Sequence, residues 1–226
     1  MQRGRNRGSE AGIVFDLDGT LVDSAPSMTR AINEMACRRG APPVDVAAVR
    51  RFVSLGGTAM LAAALGEQTD PVADLDELRT LLREQDADPN DLYPGVVDTL
   101  AALKQDRYRI GVCTNKSEDI AVPYAAGLGI AGHLDVIIGG APGRRLKPDP
   151  QLAEMALERL GTTARASIFV GDSEIDAETA AATGIPFVLV TFGYPHGAIE
   201  TITADARIDH FSELPGVART MCEPAL

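Results

Sequence analysis

Asp16 and Asp18 stand two residues apart at the end of the apolar run Ile13-Val14-Phe15, and Gly19-Thr20 follow at once. Two carboxylates so close cannot both ionise at low cost unless a cation lies between them or one keeps its proton. Either state is chemically useful. A metal-bound carboxylate can attack as a nucleophile, while a partly protonated neighbour serves as acid and then as base. Three further segments concentrate polar groups: Thr114-Asn115-Lys116, Lys147-Pro148-Asp149-Pro150, and Gly171-Asp172-Ser173 with Asp176 four residues after Asp172.

Each segment alone has a plainer reading. Asp16 and Asp18 suit a turn, Thr114 a strand end, Lys147 a solvated surface, and Gly171-Asp172-Ser173 a helix cap. A calcium loop starting at Asp16 would need Gly at its sixth position and Glu at its twelfth, where this chain has Leu21 and Ser27. It is their order and placement that make the segments informative.

The placement follows from the surrounding elements. Gly12 and Gly19 bound the first apolar run, which reads as a buried strand. Short β-branched runs recur at Tyr108 to Cys113, Asp135 to Ile138, Ala166 to Val170 and Pro186 to Val190. Helical patterns separate them. Val96, Val97, Leu100 and Leu103 lead into the second strand, and Glu118 to Ala126 follows it, interrupted or started near Pro123. Leu152, Met155, Ala156 and Leu160 share a face closed by Gly161, and Glu174 to Thr183 is closed by Gly184. This alternation predicts an α/β fold, a Rossmann-like doubly wound parallel sheet covered on both faces. Ligands bind such sheets outside the carboxyl ends of the strands, which is where the polar segments fall.

Residues 25 to 90 break the rhythm and read as helices only: Met28, Ala31, Ile32 and Met35; Val44 to Phe52; Thr58 to Leu65; Leu75, Leu78, Leu81 and Leu82. The expected organisation is a disordered tail over residues 1–10, a core of residues 11–24 and 91–226, and an all-helical insert of residues 25–90.

Composition sets outer limits. The chain has 226 residues, 45% hydrophobic and 23% charged, enough for a core domain plus an insert. Its net charge of −11 argues against nucleic acid or an anionic membrane as partner. A small anion must then be drawn by local groups. Cys37, Cys113 and Cys222 have neither disulfide nor metal-ligand spacing and fit a reducing cytoplasm. The first ten residues carry no apolar stretch that would make a signal peptide or a membrane span.

In this order and at these strand ends, the segments F-D-L-D-G-T-L-V-D-S, T-N-K, K-P-D-P and G-D-S-x-x-D resemble the haloacid dehalogenase superfamily of phosphohydrolases. The insert after the first segment looks like that superfamily's C1-type helical cap. Tyr93-Pro94-Gly95-Val96 and Gly193-Tyr194-Pro195-His196-Gly197 are similar to its phosphoglycolate phosphatase branch. The resemblance implies Asp16 as nucleophile, forming an aspartyl phosphate, and Asp18 as acid and then base. It implies Mg²⁺ held by the Asp16 side chain, the Asp18 backbone carbonyl and Asp172, with Asp176 in an outer position. Lys147, Thr114 and Asn115 would meet the phosphoryl oxygens, and losing Lys147 is expected to impair phosphate handling more than folding.

The dehalogenases of the superfamily lack an acid at the Asp18 position, so hydrolysis of a phosphomonoester is the expected reaction. The leading substrate is 2-phosphoglycolate; a sugar-phosphate or nucleotide phosphatase, a β-phosphoglucomutase-like phosphomutase and an inactive binding module are the alternatives. The partner is expected to be a small phosphorylated metabolite, met by a cytoplasmic monomer or homodimer. Substrate choice is assigned to the insert, with Arg51, Ser54, Gly56 and Gly57 as candidates. Ser54-Leu55-Gly56-Gly57 departs from the G-x-G arrangement often found in the phosphoglycolate branch, which leaves glycolate specificity open. Arg144 and Arg145 are placed at the rim or on a solvated loop, His196 is read as structural and Cys113 as a buried small residue.

Overall fold

The computed structural model describes residues 11–52, 57–66, 69–70 and 72–222. The expected tail at residues 1–10, and with it Ser54 and Gly56, lies outside the described residues. Strand β1 (Gly12–Phe15) is buried at every position. Four helices follow: α1 (Ala25–Arg38), α2 (Val46–Arg50), α3 (Gly57–Leu65) and α4 (Ala73–Glu84). The chain then runs through α5 (Val96–Gln105), β2 (Arg109–Ser117), α6 (Glu118–Gly127), β3 (Val136–Gly140), α7 (Gln151–Leu160), β4 (Ser167–Gly171), α8 (Glu174–Thr183), β5 (Phe187–Val190), β6 (Ala206–Ile208) and α9 (Leu214–Met221).

The strands form one parallel sheet in the order β3-β2-β1-β4-β5-β6. The chain winds outward from β1 to β3, then returns to lay β4 on the other side of β1. That reversal opens a crevice at the carboxyl end of β1. Strand alternation sends side chains to two cores. Ile13, Phe15, Ile110, Val112, Ile168 and Val170 pack against α5, α6 and α9, whereas Val14, Cys113, Phe169 and Leu189 pack against α7 and α8. Two details differ from the sequence pattern. Helix α6 continues through Pro123, whose missing N–H would have bonded within the first turns. A sixth strand, β6, also pairs with β5 from Val188↔Ala206 to Val190↔Ile208.

Helices α1–α4 share their own apolar cluster, including Met28, Ile32, Met35, Met60, Leu61 and Leu78. Their entry and exit segments lie side by side. Val22 bridges Leu92, the Asp23 N–H donates to the Asp91 carbonyl at 2.7 Å, and the Tyr93 N–H donates to the Leu21 carbonyl at 3.1 Å. Tyr194, from the loop after β5, inserts into the same cluster and ties the insert to the sheet edge.

Candidate active site

The Asp16 N–H donates to the Val170 carbonyl at 2.9 Å, so the nucleophile candidate continues the β1–β4 ladder by one residue and inherits its rigidity. Its Oδ1 lies 2.7 Å from Lys147 Nζ, and the same ammonium reaches Asp176 Oδ1 at 2.6 Å. All three side chains are at most 5% exposed. Lys147 arrives from the loop after β3, and Asn115 at the end of β2 fixes it. The Lys147 N–H donates to Asn115 Oδ1 at 2.7 Å, and Asn115 Nδ2 donates to the Lys147 carbonyl at 3.1 Å. The Asn115 amide thus braces the lysine, and the residue also lines the cleft in which a substrate contact was expected of it.

Asp172 ends β4 and is fully buried. Its Oδ1 accepts from the Thr20 hydroxyl at 3.1 Å and its Oδ2 from the Tyr194 N–H at 2.5 Å. Glycines allow this approach: a Cβ on Gly19 or Gly193 would collide with the Asp172 side chain. Asp176 Oδ2 accepts from the Ser173 hydroxyl at 2.8 Å and the Ser173 N–H at 3.1 Å, capping α8 while Oδ1 holds Lys147.

Asp16, Asp172 and Asp176 each offer an oxygen within 4.8 Å of the others. Three buried carboxylates face one ammonium, and the imbalance shows in their acidity. Burial pushes Asp16 up to about 7, against the pull of Lys147 and with help from the charge of Asp176. Burial and the charges of Asp176 and Asp16 also raise Asp172 well above its ordinary range. Burial alone would lower the Lys147 ammonium, but Asp16 and Asp176 outweigh it and hold the group protonated. An additional cation would relieve the excess negative charge, and an all-oxygen donor set suits a hard divalent ion. The residues therefore fit a divalent metal.

Asp18 stands apart from this cluster. Its Oδ1 accepts from Lys116 Nζ at 2.7 Å, with both side chains at most 7% exposed. Lys116 also lies 5.3 Å from the centre of the Tyr124 ring, and its N–H donates to the Thr114 hydroxyl at 3.1 Å. Two neighbouring carboxylates thus acquire different surroundings, which allows them different tasks. Lys116 was visible within the T-N-K segment, but its partner 98 residues away was not.

A family model of haloacid dehalogenase-like hydrolases matches residues 13–190. The chain belongs to this family. A protein named phosphoglycolate phosphatase from Rhodospirillum rubrum is 35% identical over 232 aligned residues, covering 95% of this chain and 96% of the relative. A crystal structure of a predicted phosphoglycolate phosphatase from Haemophilus somnus matches with a TM-score of 0.83 at 26% identity, covering 95% of this chain and all of the other. CbbY from Rhodobacter sphaeroides, solved in complex with xylulose-(1,5)bisphosphate, matches with a TM-score of 0.73 at 26% identity, covering 91% and 96% of the two chains.

In this hydrolase a cleft of about 580 Å³ opens between the sheet edge and the helical insert. Asp18, Asn115, Lys116 and Arg144 line it from the core; Gly57, Thr58 and several α4 side chains line it from the insert. Thr114, 1% exposed, lies at the same strand end. Arg51, in the turn after α2, is exposed and is not among the described residues lining this cleft. Arg144 pairs with Glu118 and donates to the Gly139 carbonyl at 2.8 Å, while Arg145 pairs with Asp149 at 2.6 Å. His196 sits beside Glu174, whose carboxylate also accepts from the His196 and Gly197 N–H groups at 3.0 and 2.8 Å. Cys113 is buried, which pushes its thiol up to about 12. No helix of the described residues is long and apolar enough to cross a membrane.

Proposed function

We propose that this chain is a Mg²⁺-dependent phosphatase that hydrolyses 2-phosphoglycolate through an aspartyl phosphate on Asp16. The observation that carries the reading is the separation of two adjacent carboxylates: Asp16 beside Lys147 at 2.7 Å and Asp18 beside Lys116 at 2.7 Å. The Asp16 carboxylate attacks phosphorus as the bond to the leaving oxygen breaks, and Asp18 gives that oxygen its proton. Asp18 then takes a proton from water, the resulting hydroxide attacks the acyl phosphate, and inorganic phosphate leaves with Asp16 restored. Lys147 and the Thr114 hydroxyl supply donors for the phosphoryl oxygens. The Asp16 and Asp172 side chains and the Asp18 carbonyl would hold the cation, with Asp176 bracing Lys147. When bound, Mg²⁺ offsets charge on the phosphoryl oxygens.

The glycolate assignment rests on the name of the R. rubrum relative. A second reading, a sugar-phosphate phosphatase, is favoured by the CbbY match and its xylulose bisphosphate. The helices of residues 25–90 are assigned the part of a cap that closes over the site and excludes water. A reducing cytoplasm suits three unpaired cysteines, Cys37 among them exposed, and the enzyme acts there as a monomer or homodimer.

Phosphate release from an aryl phosphate, abolished by EDTA and restored by Mg²⁺, tests the reaction; no release with any divalent ion would sink it. Comparing kcat/KM over phosphoglycolate, sugar phosphates, nucleotides and pyrophosphate tests the substrate. A sugar phosphate ranking well above phosphoglycolate would transfer the assignment to the second reading.

A further inference from the structure

Where the insert faces the cleft, its wall is mostly apolar: Met28, Leu75, Leu78 and Leu82 line it. Arg79, on α4, stands among them and is the one cation contributed by α1–α4 to the described lining. Its Nε is buried and has no hydrogen-bond partner. The side chain as a whole is 32% exposed, so part of the guanidinium stays open, and the neighbouring carboxylates engage little of it. Asp76 meets only Nη1, at 3.4 Å, and its own side chain is 70% exposed. Asp119 has its oxygens engaged by the Ser117 hydroxyl and the Arg83 guanidinium.

The opposite wall of the same cleft carries Asp18, Asn115 and Lys116, the end at which the phosphoryl group reacts under the proposed function. We propose that Arg79 binds the carboxylate of the substrate, so that the enzyme selects short phosphorylated hydroxy acids by their second charge. The inference rests on the phosphatase reading and deepens it. A guanidinium presents two N–H groups as a planar fork that matches a carboxylate with two parallel bonds. On the insert's apolar wall this one guanidinium, paired only at 3.4 Å with the exposed Asp76, is matched to a monoanion. A second phosphate, near −2, would leave charge uncompensated there. Sequence pattern alone hides this residue, because an arginine on an amphipathic helix reads as part of its solvated face.

The test uses the full chain with Mg²⁺ and three substrates: 2-phosphoglycolate, its neutral counterpart 2-hydroxyethyl phosphate, and a sugar bisphosphate. The quantity read is the ratio of kcat/KM for the acid to that for the neutral ester, which is independent of the folded fraction of a variant. Arg79→Ala is expected to lower that ratio about 10- to 150-fold, mainly through KM, as for a lost hydrogen bond to a charged group. Arg79→Lys keeps the charge without the fork and should restore part of it; it also supplies the reading if the alanine variant does not fold. A ratio that Arg79→Ala leaves unchanged overturns the inference alone, as does a loss confined to the bisphosphate. A wild-type enzyme inert towards all three substrates overturns the phosphatase reading and this inference with it.

Discussion

Replacing Gly193 with alanine tests how Asp172 is held. A Cβ at this position would land on the Asp172 side chain and on the Gly19 carbonyl, nearer than nonbonded atoms approach. Neither obstacle is the free end of a flexible side chain: one is anchored at the end of β4, the other is backbone. Relief therefore requires the loop after β5 to lift, which would pull the Tyr194 N–H from Asp172 Oδ2, now 2.5 Å away. Overpacking costs about 1–3 kcal/mol and a lost bond to a charged acceptor about 1.5–3, so Gly193→Ala should destabilise by about 2.5–6 kcal/mol. Asp172 would also lose part of its aim, and the loss of such an orienting contact weakens metal binding about 10- to 100-fold. Urea unfolding gives the first quantity and the Mg²⁺ dependence of phosphate release the second. Gly132→Ala is the control, since nothing lies within 4 Å of a Cβ built there. A Gly193→Ala protein that unfolds with the wild type and saturates at the same Mg²⁺ concentration would refute the packing argument.

Asp16→Asn should abolish turnover in a folded protein; wild-type phosphate release from that variant would remove Asp16 from its role. Asn115→Ala should act through Lys147, raising KM for phosphomonoesters as the lysine loses the bonds at 2.7 and 3.1 Å that fix its backbone, and an unchanged KM would contradict this. The metal should stabilise more strongly as pH rises. Asp16 goes from 3.8 to about 7 on folding without metal, so its contribution to stability is full below the lower value and is lost as pH rises through the higher. Asp172, raised by burial, acts in the same direction. Because a cation binds the ionised carboxylates, the gain in Tm from Mg²⁺ over EDTA should grow between about pH 5 and about pH 8; a constant gain would count against the metal cluster.

Lys147 shows how burial changes a sequence expectation. Read as a phosphate ligand on a loop, it should matter more to activity than to folding. At 6% exposure and between Asp16 and Asp176, it also neutralises part of a buried acidic cluster, and breaking such a pair costs about 3–5 kcal/mol. The strands β1 to β5 were legible because buried parallel strands are short apolar runs between turn residues. β6 was not: Ala206-Arg207-Ile208 has no apolar run of its own, and its pairing with Val188 to Val190 is what makes it a strand.

By itself, the sequence determined the order of the polar segments and, through hydrophobic period, that they lie at strand ends of a parallel sheet or, for Lys147, in the loop that follows one. That was enough for the family and the reaction class. Which groups touch was decided only by the tertiary structure, because contacts between residues far apart in sequence leave no local pattern. Asp18 with Lys116, Asn115 with the Lys147 backbone, Gly193 against Asp172 and Arg79 in the lining of the cleft are all of this kind. A carboxylate's spacing along the chain suggests a site, but its charge state and its partner depend on burial and on neighbours that the sheet and the insert bring together.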